Sequence, residues 1–257
     1  MSGLPGSYFA PGNSFLEFLR VQEPASPALQ LTAVSGSDGS APASLTATTV
    51  VALTYREGVV MAGDRRATQG HQIASRDIEK VYPADATTAI GLAGVAGLAL
   101  QLVRLYQLEL EHYEKIEGAP LSLRGKANRL ATMMRSQLDL ALKGLPVVPL
   151  LAGWDQTPHI YSFDVTGGSY EERHFAAIGS GAIHAKGSLK KLYKPTARAT
   201  AAIRTALTAL MDAAEEDTGT GGVDRAREIY PVVARVDQHG YTRVPDSELA
   251  RILGGAA

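Results

Sequence analysis

After residue 48 the apolar positions fall into short runs that are typical of strands. The stretches "TVVALTY" (49–55) and "GVVMAGD" (58–64) are separated only by Arg56 and Glu57. This pattern predicts a β-hairpin, because β-branched residues favour strands and a two-residue break suits a tight turn. Further apolar runs predict strands at 86–94, 147–155, 159–165 and 231–237.

Longer stretches carry apolar residues at helical spacing. The first helix is predicted over 95–117, where Gly118 and Pro120 stop it, and its antiparallel partner over 121–143. Two more helices are predicted over 181–192 and 195–216. This order of strands and helical pairs favours sheets stacked between helical layers over a βαβ alternation. The predicted fold class is therefore α+β, in four layers.

The first 47 residues differ from the rest, since they are rich in Ser, Gly, Pro and Ala and show little periodicity. Their start contains no Lys or Arg and is broken by Pro5, Gly6 and Pro11, so it does not fit a secretory signal. We expect a removable or flexible leader and a cytoplasmic protein. Only "SFLEFLR" (14–20) has the spacing of a short amphipathic turn that could dock on a partner.

Composition narrows the possible functions. The 257 residues, 45% of them hydrophobic, suffice for one sizeable domain. With 25 Lys and Arg against 26 Asp and Glu, the net charge of -1 argues against binding to nucleic acid or to an anionic membrane. The absence of cysteine excludes disulfides, thiolate zinc sites and cysteine nucleophiles. The six histidines lack the spacing of a metalloprotease helix, so we expect no metal.

Three threonines, Thr46, Thr48 and Thr49, stand at or just before the start of the first predicted strand. They can be ordinary strand residues, since β-branched side chains pack well on a sheet. Alternatively, removal of the leader would leave a threonine at the chain terminus. Its α-amino group, with an ordinary pKa of about 7.7 to 8.0, could then act as a base for its own hydroxyl. Such a site also needs a cation, a carboxylate and backbone donors for an oxyanion.

The chain resembles the catalytic β subunits of the 20S proteasome, most closely the actinobacterial type. That family belongs to the N-terminal-nucleophile hydrolases, so the resemblance implies a four-layer αββα sandwich of two antiparallel sheets between helical layers. The motifs that carry it span nearly everything after the leader: "TTVVALTYREGVVMAGDRRATQG" (48–70), "IEKVY" (78–82), "GLAGVAG" (91–97), "RLYQLELEHYEKIEGAPL" (104–121), "AIGSGAIHAKGSLKKLY" (177–193) and "DTGTGG" (217–222).

The resemblance assigns catalytic roles by position. It places the nucleophile at Thr48, its paired aspartate at Asp64, its lysine at Lys80 and the oxyanion donor at the Gly94 N–H. Three further positions match the polar set that orients the threonine terminus: Ser180, Asp217 and Thr220. Without the resemblance, Asp64 and Lys80 would be interpreted as a surface ion pair, Gly94 as a strand-to-helix turn, and the remaining positions as loops.

The family's primary substrate pocket falls on apolar positions, which predicts a preference for apolar side chains. Those positions are Ala67, Ile78, Leu92, Ala96 and Leu100. They could equally be core residues, Leu92 and Leu100 above all. The resemblance also implies that Thr68 holds the substrate as an added strand through main-chain hydrogen bonds.

The resemblance divides the chain into a propeptide, 1–47, and a catalytic threonine peptidase domain, 48–257, with autocatalytic cleavage between Ala47 and Thr48. The family usually has glycine where this chain has Ala47. If the scissile peptide needs a left-handed backbone, alanine costs about 1 to 2 kcal/mol and slows cleavage roughly tenfold. Cuts before Thr46 or Thr49 are alternatives, although only Thr48 gives the family's spacing to Asp64 and Lys80.

The family also implies partners. These are a homo-heptameric β ring stacked on α-subunit rings, an ATPase ring that feeds unfolded substrate, and substrates tagged with a small ubiquitin-like protein. No cofactor is implied. Two alternatives stay open: the two-ring bacterial threonine peptidase related to the proteasome, and a non-catalytic structural β subunit. The long leader and "EHYEKIEG" argue against the first, and the presence of Thr48, Asp64 and Lys80 argues against the second.

Overall fold

The computed structural model describes residues 48–69 and 72–254. Residues 1–47, which include 14–20 and Ala47, lie outside these ranges. The strands are β1 (Thr49–Tyr55), β2 (Gly58–Gly63), β3 (Ala67–Gln69), β4 (Gln72–Ser75), β5 (Val81–Asp85), β6 (Thr88–Gly94), β7 (Val147–Asp155), β8 (Thr157–Phe163), β9 (Ser169–Glu172), β10 (Phe175–Gly179), β11 (Val232–Asp237) and β12 (Gly240–Arg243). The helices are α1 (Ala96–Glu117), α2 (Leu123–Ser136), α3 (Leu138–Leu142), α4 (Ala182–Leu192), α5 (Ala199–Glu216) and α6 (Asp246–Gly254).

The strands form two antiparallel five-stranded sheets and a small β3-β4 hairpin. The first sheet has the order β10-β1-β2-β11-β12, and the second has the order β5-β6-β7-β8-β9. The predicted hairpin is the β1-β2 pair, in which Val50 lies opposite Gly63 and Tyr55 opposite Gly58. Because β1 is hydrogen-bonded on both sides, to β10 and to β2, the residues at its start are held firmly in the sheet.

Three layers of buried side chains separate four layers of secondary structure. One lies between the first sheet and α4, α5 and α6, and includes Val51 and Leu207. The second lies between the two sheets and includes Val50 and Leu150. The third packs α1 and α2 on the second sheet and includes Leu130. The predicted α+β sandwich is therefore confirmed. It also explains why β1 is apolar at successive positions, since both of its faces are covered.

The structure corrects the prediction of one helix over 121–143. The chain instead forms α2 and α3, separated at Gln137, whose N–H donates to the carbonyls of Met134 and Arg135. The Ser136 hydroxyl donates to the Met133 carbonyl at 2.6 Å, and such bonds compete with the helical ladder. The helix predicted from 195 begins at Ala199, because Arg198 before it has an extended backbone.

Several short elements carry too weak a pattern to be predicted. They are the small hairpin, β5 with its internal proline, β9, β10, β12 and the C-terminal helix α6. In the described part of the chain, no helix has the length and apolar character needed to cross a bilayer.

Candidate active site

Thr48, the residue before β1, lines a cavity of about 370 Å³ between the two sheets' ends and α1. The cavity brings together three of the predicted catalytic positions, Thr48, Lys80 and Gly94, and all five predicted pocket positions. The pocket positions lie on β3, on the segment before β5, on β6 and on α1. Its lining consists of Thr48, Ala67, Ile78, Glu79, Lys80, Tyr82, Leu92, Gly94, Ala96, Ala99 and Leu100. Asp64 lies behind this lining, bonded to Lys80. Thr68 lies on β3 but is absent from this lining.

Asp64 directly follows β2 and is fully buried. Its Oδ1 accepts hydrogen bonds from the Thr49 N–H at 2.9 Å and from Lys80 Nζ at 2.7 Å. Its Oδ2 accepts from the N–H groups of Arg66 and Gly221, both at 2.9 Å. Four charge-assisted hydrogen bonds therefore fix this carboxylate, and one of them fixes the first residue of β1.

Lys80 is 5% exposed and donates to the Arg66 carbonyl at 2.6 Å as well as to Asp64. Burial lowers the pKa of Lys80, and it outweighs the opposing attraction of Asp64. Burial prevails because three backbone N–H groups already share the negative charge of Asp64. Lys80 can therefore release a proton more readily than a lysine on the surface.

The predicted polar set forms one hydrogen-bonded chain beside Thr48. The Thr48 N–H donates to Ser180 Oγ at 3.3 Å, and Ser180 Oγ donates to Asp217 Oδ2 at 2.5 Å. Thr220 Oγ1 donates to the same Asp217 oxygen at 2.6 Å. Burial alone would raise the pKa of Asp217, but the hydrogen bonds from Ser180, Thr220 and the Gly219 N–H lower it overall. This carboxylate therefore stays ionised and orients the Ser180 hydroxyl.

Thr48 and Thr49 have opposite environments, as successive residues entering a strand should. Thr48 lines the cavity, whereas Thr49 is fully buried and its Oγ1 lies 2.6 Å from Thr220 Oγ1. The Thr49 hydroxyl is thus engaged away from the cavity. Of the two, only Thr48 lines the cavity. Thr46 lies outside the described residues.

Gly94 ends β6 at the edge of the cavity with a φ of 114°. A Cβ atom built on this residue would lie 2.1 Å from the Pro146 carbonyl oxygen, so only glycine fits. Gly94 therefore makes the strand-to-helix turn that its residue type suggests. The oxyanion role of its N–H stays a prediction.

The structure adds residues that sequence reasoning missed. Tyr82 lines the cavity and donates its hydroxyl to the Glu79 carbonyl at 2.5 Å. Tyr82 is the second residue of β5, a strand too weakly patterned to be predicted, so no periodicity in the sequence placed it beside Lys80. Glu79 also lines the cavity and pairs with Arg243 at 2.6 Å. The cavity therefore has a charged residue in its lining, although the five predicted pocket positions are all apolar.

Gly179 supports Thr48 from β10. Its φ is 96°, and a Cβ atom there would lie 1.9 Å from the Thr48 carbonyl oxygen. Any other residue would displace Thr48 from its position beside Ser180. The glycines that flank Ser180 in "GSG" are the sequence signal for this close approach. Within the described residues, no group of three or more His, Asp or Glu side chains could hold a metal ion.

Comparisons with known proteins agree on one family. A family model described as "Proteasome subunit" matches residues 44–228. The chain is 54% identical over 252 residues to a proteasome subunit beta of Jonesia denitrificans, covering 96% of this chain and 82% of that protein. It is 51% identical over 258 residues to the corresponding subunit of Acidothermus cellulolyticus, covering 97% and 88%.

A third relative, the proteasome subunit beta of Saccharomonospora viridis, is 52% identical over 263 residues, covering 97% of this chain and 91% of that protein. These matches extend over nearly the whole chain and have the same name. They argue against the related two-ring peptidase. The chain therefore belongs to the proteasome family, among its actinobacterial-type β subunits.

Proposed function

We propose that this β subunit is a threonine endopeptidase that hydrolyses peptide bonds of unfolded proteins after autocatalytic cleavage between Ala47 and Thr48. The observation that carries the proposal is the position of Thr48. It lines an apolar cavity together with Lys80, and Lys80 is held by the buried Asp64 carboxylate at 2.7 Å. Leader removal would convert the Thr48 N–H, now 3.3 Å from Ser180 Oγ, into the α-amino group that the reaction needs.

In the proposed reaction, the free α-amino group of Thr48 accepts the proton of its own hydroxyl while Oγ1 forms a bond to the substrate carbonyl carbon. The developing oxyanion is stabilised by the Gly94 N–H. The peptide C–N bond then breaks, the amino group gives its proton to the leaving amine, and an ester to Thr48 remains. Water attacks this ester with the same amino group as base, which releases the acid product and restores the hydroxyl.

Lys80 and Asp64 support this chemistry in two ways. The positive charge of Lys80 lowers the pKa of the Thr48 amine, so that the amine stays neutral and basic near neutral pH. During self-cleavage no free amine exists, and another base must take the Thr48 proton. Lys80 suits that role in its neutral form, which burial favours by lowering its pKa, and it lines the same cavity as Thr48. Once the leader is removed, the charged form of Lys80 acts on the Thr48 amine.

The pocket favours an apolar side chain before the scissile bond. Five of its eleven lining residues are the apolar positions that the resemblance implies, and these five present no hydrogen-bonding side chains to a bound residue. Ala96 keeps the pocket wide at the start of α1. An unpaired charge buried there would cost several kcal/mol, which outweighs any gain from packing.

A proteasome β subunit works in a complex with other proteasome subunits. Because the relatives are named as such subunits, the same is implied for this chain. We further propose homo-heptameric β rings stacked on α-subunit rings, a cytoplasmic location, an ATPase ring that delivers substrate, and a small ubiquitin-like protein as substrate tag. These finer features rest on the family resemblance.

The test is co-expression with an α subunit, followed by N-terminal sequencing of the assembled β chain and a peptidase assay. We expect a mature chain that begins at Thr48, and a Thr48→Ala variant that assembles, keeps its leader and is inactive. A terminus at Thr46 or Thr49 in active particles would contradict the nucleophile assignment. Activity in Thr48→Ala particles would contradict it as well, and inactive wild-type particles would favour a structural subunit.

A further inference from the structure

A second, smaller cavity lies next to the candidate catalytic pair and shares no lining residue with the first cavity. Its volume is about 40 Å³. Three arginines, Arg65, Arg66 and Arg76, contribute to its lining, and the other lining residues are Gly221, Gly222, Asp224, Ile229, Tyr230 and Pro231. A water-sized sphere needs roughly 10–15 Å³, so the cavity has space for about three non-hydrogen atoms. That is enough for a whole carboxylate group, or for part of a phosphate whose remaining oxygens stay on the solvent side with the exposed Arg76.

The charges around this second cavity do not cancel. Arg66 donates to the Thr218 carbonyl at 3.0 Å. Neither Arg66 nor the exposed Arg76 has a carboxylate within 4 Å in the part of the chain that the structure describes. The one lining carboxylate, Asp224, is paired with Arg227 at 2.6 Å. Two of the three lining arginines therefore have no paired carboxylate among the described residues.

Arg65 supplies a second, independent observation. Its guanidinium pairs with Asp77 and lies 4.0 Å from Asp246. Its Nε atom is nevertheless buried and has no acceptor among the described residues. A buried donor without a partner costs free energy, and an acceptor entering from outside the chain would remove that cost.

The lining of the second cavity also touches the catalytic pair through the backbone. The Arg66 N–H donates to Asp64 and the Arg66 carbonyl accepts from Lys80. The Gly221 N–H donates to the same Asp64 oxygen as the Arg66 N–H. A ligand that fixes Arg66 and Gly221 thus fixes two of the four donors to Asp64.

We propose that this cavity binds one oxyanion, a carboxylate or a phosphate, and that its occupancy stabilises the backbone around Asp64 and Lys80. Arginine is suited to such a ligand because its planar fork of donors matches the oxygens of carboxylates and phosphates. The anion is either free in solution or an acidic side chain of a neighbouring subunit. Binding itself is independent of the peptidase function, and only an effect on turnover rests on it.

The experiment measures thermal stability against inorganic phosphate at constant ionic strength, for the assembled particle and for the full chain expressed alone. The variant is Arg76→Ala, which removes an exposed lining arginine outside the catalytic machinery. The matched control is Arg173→Ala, an exposed arginine that is absent from the lining. Thr48→Ala particles separate binding from catalysis, since they should respond to phosphate like the wild type.

We expect phosphate to raise the melting temperature of wild type and Arg173→Ala to a plateau, with half-saturation about tenfold weaker in Arg76→Ala. If a neighbouring subunit supplies the carboxylate, the response will appear only in the chain expressed alone, and Arg76→Ala particles will melt at a lower temperature than Arg173→Ala particles. The proposal is overturned if phosphate has no saturable effect on either form and the two arginine variants melt together.

Discussion

Replacing Asp64 with asparagine should destabilise the protein more than most single substitutions. Each carboxylate oxygen of Asp64 accepts two hydrogen bonds, from Thr49 and Lys80 on one side and from Arg66 and Gly221 on the other. Asparagine keeps one acceptor oxygen and turns the other position into an NH₂ donor. Whichever way the amide is oriented, the NH₂ group faces two donors, and two hydrogen bonds are lost.

The size of the effect follows from burial. Asp64 is fully buried and Lys80 is 5% exposed, so solvent screens the pair little. Each unsatisfied donor costs about 1–3 kcal/mol, and breaking a buried ion pair by removing one partner costs about 3–5 kcal/mol. These costs overlap because Lys80 is counted in both, and we expect a total of about 3–5 kcal/mol. For a chain of this size that lowers the melting temperature by about 6–20 °C.

The assay is a double-mutant cycle read by thermal denaturation and by peptide turnover. The variants are Asp64→Asn, Lys80→Met and both together. If the unpaired lysine causes most of the loss, the double variant should recover much of the stability of Asp64→Asn while remaining inactive. An Asp64→Asn protein that melts within 2 °C of the wild type, a margin that corresponds to roughly 1 kcal/mol or less, would refute this interpretation of the pair.

Three further predictions concern Lys80, the pocket and acid stability. Lys80→Ala should assemble, but its peptide turnover should fall about 10²-fold or more. Near-normal turnover would show that Lys80 serves only as the ion-pair partner of Asp64. In a series of reporter peptides that differ only in the residue before the cut, cleavage after apolar residues should be fastest. Ala96→Phe should slow the cleavage of bulky substrates more than that of small ones. Equal or faster cleavage after Asp or Arg would contradict the assignment of the pocket. Hydrogen bonds from Thr166 and Gly168 lower the pKa of Asp164 from 3.8 to about 2. Because the pKa of Asp164 is lower in the folded state than in the unfolded state, the stabilisation by its carboxylate is present above pH ~4 and lost toward pH 2. The melting temperatures of wild type and Asp164→Asn should therefore converge as the pH falls. A constant difference between the two melting temperatures would contradict this prediction.

The sequence predicts the long elements well because their signals are local. The β1-β2 hairpin and α1 are apolar over many residues, and their turns have charged residues or glycine. The missed elements lack such signals: β5 contains Pro83, and β10 is short and rich in alanine. The break at Gln137 depends on a side-chain bond from Ser136 that no hydrophobic pattern encodes.

The candidate site shows a similar division. The family resemblance supplies the residue types, and the structure shows which of them meet, for example Thr220 with both Asp217 and Thr49. Backbone donors to Asp64 from Arg66 and Gly221 could not be predicted, since main-chain groups leave no trace in residue identity. Tyr82 and Glu79 were missed because the pocket was assigned only by matching the family's positions.

The role of Thr48 is tested most directly by covalent trapping. Mature particles are incubated with a short apolar peptide carrying a C-terminal electrophile, and the modified residue is mapped by mass spectrometry. We predict a single adduct on the N-terminal threonine of the mature chain, Thr48, with matching loss of peptide turnover, and no adduct on Thr48→Ala particles. An inhibited particle whose adduct lies on any other residue would contradict the assignment of Thr48 as the nucleophile.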